Sequence, residues 1–345
     1  MKKIRILSID GGGIRGIIPG VILRYMETQL QRKGDSSKKI GDYFDFIAGT
    51  STGGILACCY LMQKGTSGRA KYSAEEALDM YLKEGSAIFH QTFTHKLLSG
   101  FGFIDEKYNN FSLIDNLQSF FGEEMLQTFI KPCLITSYNI TERNAHFFNS
   151  AEANDPIYNF KVKDVARATS AAPTYFEPAS IESESGQKFS LIDGGMFANN
   201  PALCAYAEVR KIDFSKILNR PDKPKFPSAK DMMIVSLGTG SVEKPYYFKD
   251  FKDAGELKWL SPIIDILMSA NAETVDYQLM QIYKTLKPRD QQDYYRLKPA
   301  LGEALSDMDD ATTNNIENLK QAGLLFINKN EIFLDEIIDK ILEND

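Results

Sequence analysis

Short apolar runs that end in glycine-rich turns recur in the first part of the chain. The first run covers residues 3–9, its turn covers 10–13, and apolar residues at helical spacing follow in 14–31. A second run at 44–48 leads through the turn GTSTGG into a small, apolar helical segment at 55–62. Two strand–turn–helix units within about 60 residues predict parallel strands with helices packed against the sheet.

Further predicted elements surround that sheet. Residues 73–130 have a mostly helical pattern, and a polar turn at 141–144 joins the two strands of a predicted hairpin. Asn200 and Pro201 have the residue types of a helix N-cap and a first helical position. Strands are also predicted at 189–192, 232–237 and 294–297, and helices fill most of the remaining C-terminal part.

The composition is that of a globular protein and narrows the range of partners. The 345 residues are 43% hydrophobic and 25% charged, with a formal net charge of −6, which argues against a nucleic-acid polymer as partner. Four cysteines without a Cys-x-x-Cys pair, and only three histidines, argue against structural zinc and favour reduced thiols. Because Arg5, Ser8 and Asp10 interrupt the apolar run that a secretory signal needs, we expect a cytoplasmic protein.

A candidate nucleophile lies in the second turn. Gly49, Ser51 and Gly53 form the pattern Gly-x-Ser-x-Gly between the predicted strand and helix. A nucleophilic serine needs a sharp turn that pushes its hydroxyl out of the backbone, and glycines on both sides remove side chains that would collide there. A helix N-terminus adds partial positive charge and free N–H groups. The alternative is a plain strand-to-helix turn.

A candidate anion cradle lies in the first turn, GGGIRG at residues 11–16. Successive glycines let backbone N–H groups converge on a phosphate or a tetrahedral oxyanion. The same residues satisfy the dinucleotide pattern Gly11-x-Gly13-x-x-Gly16, so a nicotinamide-dependent oxidoreductase is an alternative function. That alternative expects an acidic residue after a second strand, where this chain offers only Asp35 in a polar run.

A candidate base follows the predicted strand at 189–192, in the sequence LIDGG that contains Asp193. A serine hydroxyl is a poor nucleophile unless a neighbouring group accepts its proton. Each of the three histidines lies in a helical or hairpin stretch without turn chemistry around it. Asp193 is therefore the economical partner for Ser51, with an ordinary Asp-Gly turn as the alternative.

Together these segments resemble the patatin-like phospholipase family. GGGIRG at 11–16, GTSTG at 49–53 and DGG at 193–195 occur in this order, and RATSAAP at 167–173 and SLGTG at 236–240 add to the likeness. The resemblance implies an α/β fold, a three-layer sandwich with a mostly parallel central sheet. It also implies a catalytic domain at 1–300 and a helical C-terminal extension at 301–345 packed on the same domain.

The resemblance further implies a lipid acyl hydrolase that cleaves fatty-acyl esters of phospholipids through a Ser51–Asp193 dyad and an acyl-enzyme. The oxyanion-hole glycines correspond to Gly11, Gly12 and Gly13. The supporting positions are Arg15, Gly49, Gly53 and Gly194. No cofactor and no metal are expected, because Thr312 stands where a calcium loop begun at the acidic run 307–310 would need glycine. That run predicts a helix N-terminus with first-turn acids, and the activity is expected to be independent of calcium.

Partners other than the lipid substrate are less defined. The longest apolar stretch, 55–62, is too short to span a bilayer, so any membrane contact is expected to be peripheral. Some bacterial members of the family resemble effectors that small nucleotides switch on, but no residue here identifies such an activator; a homo-oligomer is also left open. A catalytically silent storage or binding protein is a further functional alternative. One apolar stripe suits either lipid contact or the core, and it consists of Phe89, Phe93, Leu97, Leu98, Phe101 and Phe103.

Overall fold

A computed structural model describes residues 1–89, 110–241, 245–252 and 255–345. Within them, the strands are β1 (Ile4–Ile9), β2 (Phe46–Thr50), β3 (Cys133–Asn139), β4 (Asn144–Asn149), β5 (Ala179–Glu182), β6 (Lys188–Asp193), β7 (Met232–Leu237) and β8 (Tyr294–Leu297). The helices are α1 (Ile17–Lys33), α2 (Ile40–Tyr43), α3 (Thr52–Leu61), α4 (Ala74–Phe89), α5 (Asn110–Phe121), α6 (Val162–Thr169), α7 (Gly195–Ala198), α8 (Ala202–Val209), α9 (Phe214–Ile217), α10 (Phe248–Phe251), α11 (Glu256–Lys284), α12 (Thr313–Lys329) and α13 (Glu331–Glu343). Short 3₁₀ helices lie at Gly13–Gly16, Leu126–Thr128 and Ala229–Asp231.

The strands form one mixed sheet in the order β5-β6-β3-β2-β1-β7-β8, with β4 paired to β3. The central pairings, β3 with β2, β2 with β1, β1 with β7 and β7 with β8, are parallel. The pairings of β3 with β4, β3 with β6 and β5 with β6 are antiparallel. The predicted mostly parallel sheet and the predicted hairpin are confirmed. The hydropathy pattern did not predict β5, which has four residues.

Alternation along β1 explains the three layers. Leu7 and Ile9 face a core shared with α1 and α3, whereas Ile4 and Ile6 face a second core shared with α8 and α11. All four side chains are fully buried because successive residues of a strand point to opposite faces, and here both faces are covered by helices. The predicted three-layer sandwich is therefore confirmed. None of the described helices has both the length and the apolar character needed to cross a bilayer.

The C-terminal helices extend the first of these cores. Leu319 of α12 and Ile337 of α13 belong to the same cluster of buried residues as Ile18 and Val21 of α1. The helices approach closely at Gly323, where an added Cβ atom would lie 2.9 Å from Val21. The C-terminal region is thus helical, as predicted, and it packs on the α/β core; a domain boundary at residue 300 stays a prediction.

Candidate active site

Ser51 lies in a strained turn between β2 and α3. Its backbone has φ 55° and ψ −121°, and it stands at the N-cap position of α3 without a side-chain capping bond. A positive φ is uncommon for a residue with a Cβ atom and is found where the surrounding structure holds the turn in place. The hydroxyl is therefore not used to cap the helix and remains available at the end of the strand.

The flanking glycines are required by close packing. A Cβ atom on Gly49 would lie 2.3 Å from the carbonyl oxygen of Gly53, and one on Gly53 would lie 2.2 Å from the carbonyl oxygen of Ile9. Neither distance permits a side chain, and in both cases the obstacle is backbone that cannot turn aside. The Gly-x-Ser-x-Gly pattern thus has a steric cause in this fold.

The sheet topology brings Asp193 next to Ser51. β4 occupies one side of β3, so β2 and β6 share the other side. β2 runs parallel to β3 and ends with Thr50 opposite Thr136, while β6 runs antiparallel and ends with Asp193 opposite Ser137. The two strands therefore meet end to end along β3, at consecutive residues. This meeting point unites two segments separated by about 140 residues, as expected where parallel strands end and the sheet changes direction.

The Asp193 carboxylate is buried, and no positively charged group of a described residue contacts it. It is 5% exposed, and its Oδ1 accepts a hydrogen bond of 2.6 Å from the backbone N–H of Gly195. Burial raises the pKa of Asp193 to about 6, although hydrogen bonds from Ser51 and from Gly195 act in the opposite direction. Gly194 packs on β3, since an added Cβ atom would lie 2.1 Å from Oγ1 of Thr136. A carboxylate with a pKa near 6 is a better proton acceptor than an exposed one.

In the glycine loop, the predicted role of the Gly11 amide in the oxyanion hole is wrong. The backbone N–H of Gly11 donates to the carbonyl oxygen of Asn199 at 3.0 Å, so it is not free to bind an oxyanion. The N–H groups of Gly12 and Gly13 donate to no other described residue, and Gly13, with φ 60°, lines the same cavity as Ser51. The predicted set of three amides is therefore reduced to Gly12 and Gly13.

Arg15 supports this loop from behind. Its side chain is buried, and its Nε donates a 3.2 Å hydrogen bond to the carbonyl oxygen of Gly12. The backbone N–H of Arg15 donates to the same oxygen at 3.2 Å. Because that carbonyl and the N–H of Gly13 belong to one peptide unit and point in opposite directions, holding the carbonyl also fixes the amide. Burial lowers the pKa of Arg15 from its ordinary value.

An apolar cavity opens beside the candidate dyad. Its empty space, together with open solvent at its mouth, amounts to about 1020 Å³, and both Ser51 and Asp193 line it. Most of the other described lining residues are apolar, and none of them carries a positive charge. Large side chains from several elements are among them, including Met80, Tyr81, Leu117, Phe176, Ile264 and Met268. Flexible methionine side chains adapt to ligands of irregular shape, so the cavity suits an extended hydrocarbon chain.

Three other sequence predictions have separate outcomes. His146 lies among aromatic rings rather than in the cavity, and burial lowers its pKa to about 4. His90, His95 and the apolar stripe from Phe93 to Phe103 lie outside the described residues, as does the side chain of Phe89. The prediction that the acidic run 307–310 lies in the first turn of a helix is wrong. The run precedes Thr312, which is the N-cap residue of α12. Asp310 instead accepts hydrogen bonds from the backbone and hydroxyl of Thr312.

Two residues that accept hydrogen bonds from backbone N–H groups of the site were not predicted from the sequence. Thr169 accepts the backbone N–H of Ser51, and Asn199 accepts that of Gly11. Thr169 lies in the segment RATSAAP, which contributes to the family resemblance but carries no pattern that indicates a role for the threonine. Asn199 precedes the Asn-Pro pair that predicted a helix start, and α8 begins at Ala202, one residue later than expected. A bond to a distant backbone group leaves no local pattern in the sequence.

Comparison with known proteins assigns the chain to a family. Residues 7–206 match the family model described as patatin-like phospholipase, which is more than half of the chain. The chain belongs to the patatin-like phospholipase family. The matched residues include the glycine loop, the Ser51 turn and Asp193. Family membership supports lipid acyl hydrolysis as the general class of activity, rather than a nicotinamide-dependent oxidoreductase.

Individual relatives extend this similarity over nearly the whole chain. Patatin-like protein 1 of Arabidopsis thaliana is 36% identical over 93% of this chain and 80% of its own length. Patatin-like protein 3 of the same plant is 34% identical over 95% of this chain and 81% of its own. The match also includes a Solanum tuberosum protein named probable inactive patatin-3-Kuras 1, 32% identical over 93% of this chain and 86% of its own. Because a relative at this distance is named as probable inactive, an activity for this chain has to be argued from its own site.

Proposed function

We propose that this protein hydrolyses fatty-acyl esters of phospholipids, with Ser51 as nucleophile and Asp193 as general base. The observation that carries the proposal is the end-to-end meeting of β2 and β6, because it brings a hydroxyl and a buried carboxylate together at the wall of an apolar cavity. A serine paired with a proton acceptor beside free backbone amides is the arrangement that acyl transfer requires.

In the acylation step, Oγ of Ser51 forms a bond to the ester carbonyl carbon while its proton passes to Asp193. The carbonyl oxygen becomes an oxyanion, and its proposed donors are the N–H groups of Gly12 and Gly13, which donate to no other described residue. When the tetrahedral intermediate collapses, the bond from carbon to the alcohol oxygen breaks, and the alcohol leaves with the proton from Asp193. Each oxyanion donor contributes roughly 10²–10³ in rate, and proton transfer adds about 10²–10⁴.

Deacylation uses the same groups in the reverse direction. Water attacks the acyl carbon of the Ser51 ester and gives a proton to Asp193. Collapse of the second intermediate breaks the bond to Oγ of Ser51, which recovers its proton from Asp193, and the fatty acid is released. Asp193 suits both directions because a group with a pKa close to the working pH both accepts and returns a proton readily.

The cavity indicates which part of the substrate binds where. Its apolar lining extends along α3, α4, α5 and α11, so the acyl chain would lie there with its carbonyl at Ser51. Burial of a chain gains about 0.8 kcal/mol per methylene group, enough for several methylenes to outweigh the loss of mobility. The polar head group would then remain toward the mouth of the cavity.

The proposal is tested by incubating a mixed-lipid extract with the wild-type protein and with Ser51→Ala, followed by mass spectrometry of the lipids. We expect free fatty acids and the corresponding lysolipids to accumulate with the wild type and not with the variant. An unchanged lipid profile with the folded wild type, at several calcium concentrations and in the presence of a chelator, would contradict the proposal. Activity that required calcium would contradict only the calcium-independent mechanism.

The silent storage or binding alternative is separated by a second experiment. A fluorophosphonate reports on nucleophilicity without a lipid: Oγ of Ser51 bonds to phosphorus, fluoride leaves, and Asp193 takes the proton. Labelling of Ser51, located by peptide mass spectrometry, would exclude a silent protein. The cytoplasmic location, the small-nucleotide activator, the homo-oligomer and peripheral membrane contact stay predictions.

A further inference from the structure

The segment RATSAAP at 167–173 has no role in the chemistry described so far, although its hydrogen bonds converge on the candidate dyad. We propose that Thr169 is a positioning residue that holds the strained Ser51 turn, and that the short stretch 169–171 sets the placement of Ser51 relative to Asp193. This inference rests on the proposed function, since it concerns the geometry of the same dyad.

Thr169 forms a two-sided bridge with its hydroxyl. The backbone N–H of Ser51 donates to Oγ1 of Thr169 at 2.9 Å, and Oγ1 in turn donates to the carbonyl oxygen of Thr136 at 2.6 Å. Thr169 is fully buried, so water does not compete for either bond. The single hydroxyl proton is committed to Thr136, which leaves the lone pairs of the oxygen directed at Ser51.

The bridge matters because of the backbone conformation of Ser51. A residue with φ 55° tends to return to a commoner conformation unless its neighbours prevent it. The Ser51 side chain makes no capping bond, so the bond from its N–H to Thr169 is a principal restraint on this peptide. If that bond is lost, the peptide can rotate, and Oγ of Ser51 moves with it. Because the Ser51 N–H is committed to Thr169, it is also excluded from the oxyanion hole.

The same stretch also holds the other member of the dyad. The backbone N–H of Asp193 donates to the carbonyl oxygen of Ala171 at 3.0 Å, two residues beyond Thr169. The hydroxyl of Ser137 on β3 donates to the carbonyl oxygen of Ile192 at 2.7 Å, which holds the end of β6. Ser51 and Asp193 are therefore tied through backbone amides to one short segment, in addition to their shared neighbour β3.

The test compares the series Thr169→Ser, Thr169→Cys and Thr169→Val with the wild type. Serine keeps the hydroxyl, cysteine replaces it with a weak hydrogen-bonding thiol, and valine keeps the shape without a hydrogen-bonding group. The measured quantities are the rate of Ser51 phosphonylation by a fluorophosphonate, kcat and KM for a soluble ester, and the folded fraction from denaturation. A misplacement of about 1 Å costs about 10²-fold in rate.

We expect kcat and the phosphonylation rate per folded molecule to fall about 10²-fold in Thr169→Val and less in Thr169→Cys, with KM unchanged. Thr169→Ser should stay within a few-fold of the wild type. Ser150→Ala is the matched control, because the Ser150 hydroxyl also accepts a backbone N–H, from Cys133, at the far end of β3. It should lower stability and leave kcat per folded molecule unchanged.

Equal rates per folded molecule in the wild type, Thr169→Cys and Thr169→Val would overturn the inference. If Thr169→Val does not fold, the comparison of Thr169→Cys with Thr169→Ser decides by the same criterion. A fall in kcat for Ser150→Ala as large as that for the Thr169 variants would also overturn it, since the effect would then be general. Failure of the proposed function is distinguishable, because a wild-type protein without lipid hydrolysis and without Ser51 labelling contradicts the dyad itself.

Discussion

Asp45 and Asp193 lie at opposite ends of the sheet, and both are almost fully buried, but their surroundings differ. Asp45 immediately precedes β2 and forms a bidentate pair with Arg5, with both bonds at 3.0 Å. Lys223 adds a further bond to the same carboxylate at 2.6 Å. Asp193, at the carboxyl end of β6, has the backbone of Gly195 and the hydroxyl of Ser51 as its partners and no cation among the described residues.

The pKa values of the two carboxyl groups diverge accordingly. Burial alone would raise the pKa of Asp45, but the charges of Arg5 and Lys223 and their hydrogen bonds hold it below its ordinary value. Burial raises the pKa of Asp193 to about 6 because no such charges compensate it. The carboxylate before β2 is thus held by buried cations and joins elements together, whereas the carboxylate at the end of β6 is left able to exchange a proton.

The largest effect is expected from Asp193→Asn on catalysis. The amide preserves the shape of the side chain but cannot accept the proton of Ser51, so kcat/KM for a soluble ester should fall about 10²–10⁴-fold. The same protein should remain folded by circular dichroism. Asp45→Asn is the matched control, and its kcat/KM per folded molecule should equal that of the wild type; retained turnover in Asp193→Asn would remove Asp193 from the mechanism.

Asp45→Asn should instead reduce the free energy of unfolding. It removes the negative charge that Arg5 and Lys223 share, while Arg5 keeps its ion pair with Asp345, and the loss of one partner of a buried pair costs about 3–5 kcal/mol. Chemical denaturation at pH 7 measures the loss. Asp222→Asn is the control, because Asp222 pairs with Arg220 at a half-exposed site, and exposed pairs contribute about 0–1 kcal/mol. If Asp45→Asn loses no more stability than Asp222→Asn, the buried ion pairs of Asp45 do not stabilise the fold as we infer.

Asp193→Asn should stabilise the fold at alkaline pH. The pKa of Asp193 is higher in the folded state than in the unfolded state, so the wild type loses stability as pH rises from 3.8 to about 6. The variant lacks this loss and should be more stable by about 2–3 kcal/mol at pH 8. Denaturation at pH 8 and at pH 3.5 measures the difference, which should nearly vanish at the lower pH. A difference independent of pH would show that the carboxylate is not penalised by burial.

A smaller effect is expected from backbone strain at Ser51. Both Ser51→Gly and Ser51→Ala remove the hydroxyl, but glycine adopts φ 55° without a steric penalty. Ser51→Gly should therefore be more stable than Ser51→Ala by about 1 kcal/mol, once the greater freedom of glycine in the unfolded chain is counted. Thermal unfolding of the two variants gives the difference. Alanine as stable as glycine would mean that the turn stores no strain.

The smallest effect is expected from His146→Gln. His146 is a residue of β4, its ring lies among aromatic side chains, and β3 separates it from Asp193. Burial keeps the ring neutral. Its replacement should leave kcat and the pH dependence of catalysis unchanged, although the aromatic packing should lose some stability. A loss of activity in the folded variant as large as that of Asp193→Asn would place a histidine in the mechanism.

Local patterns were sufficient to predict the elements that build the site. The apolar runs before GGGIRG and GTSTGG predicted β1 and β2, and the glycines at 49 and 53 predicted a turn whose steric need is now explained. The three-layer arrangement followed from strand–turn–helix order and from the family resemblance. These predictions depend on residues close in sequence or on short motifs, which is why they were accessible.

Contacts between distant backbone groups were not accessible. The N–H of Gly11 was expected to bind an oxyanion, but Asn199, nearly 190 residues later, occupies it. The role of Thr169 depends on the close approach of α6 to the Ser51 turn, which no spacing in the sequence encodes. The short edge strand β5 was missed because four residues with alternating exposure carry too little pattern.

The most direct test of the account is the pH dependence of kcat/KM for a soluble ester hydrolysed by the wild-type protein. We predict that kcat/KM rises tenfold per pH unit below the pKa of one group, levels off above about pH 6, and keeps this profile in His146→Gln. A profile governed by a group that titrates above pH 7, or one that disappears when His146 is replaced, would contradict the assignment of Asp193 as the base.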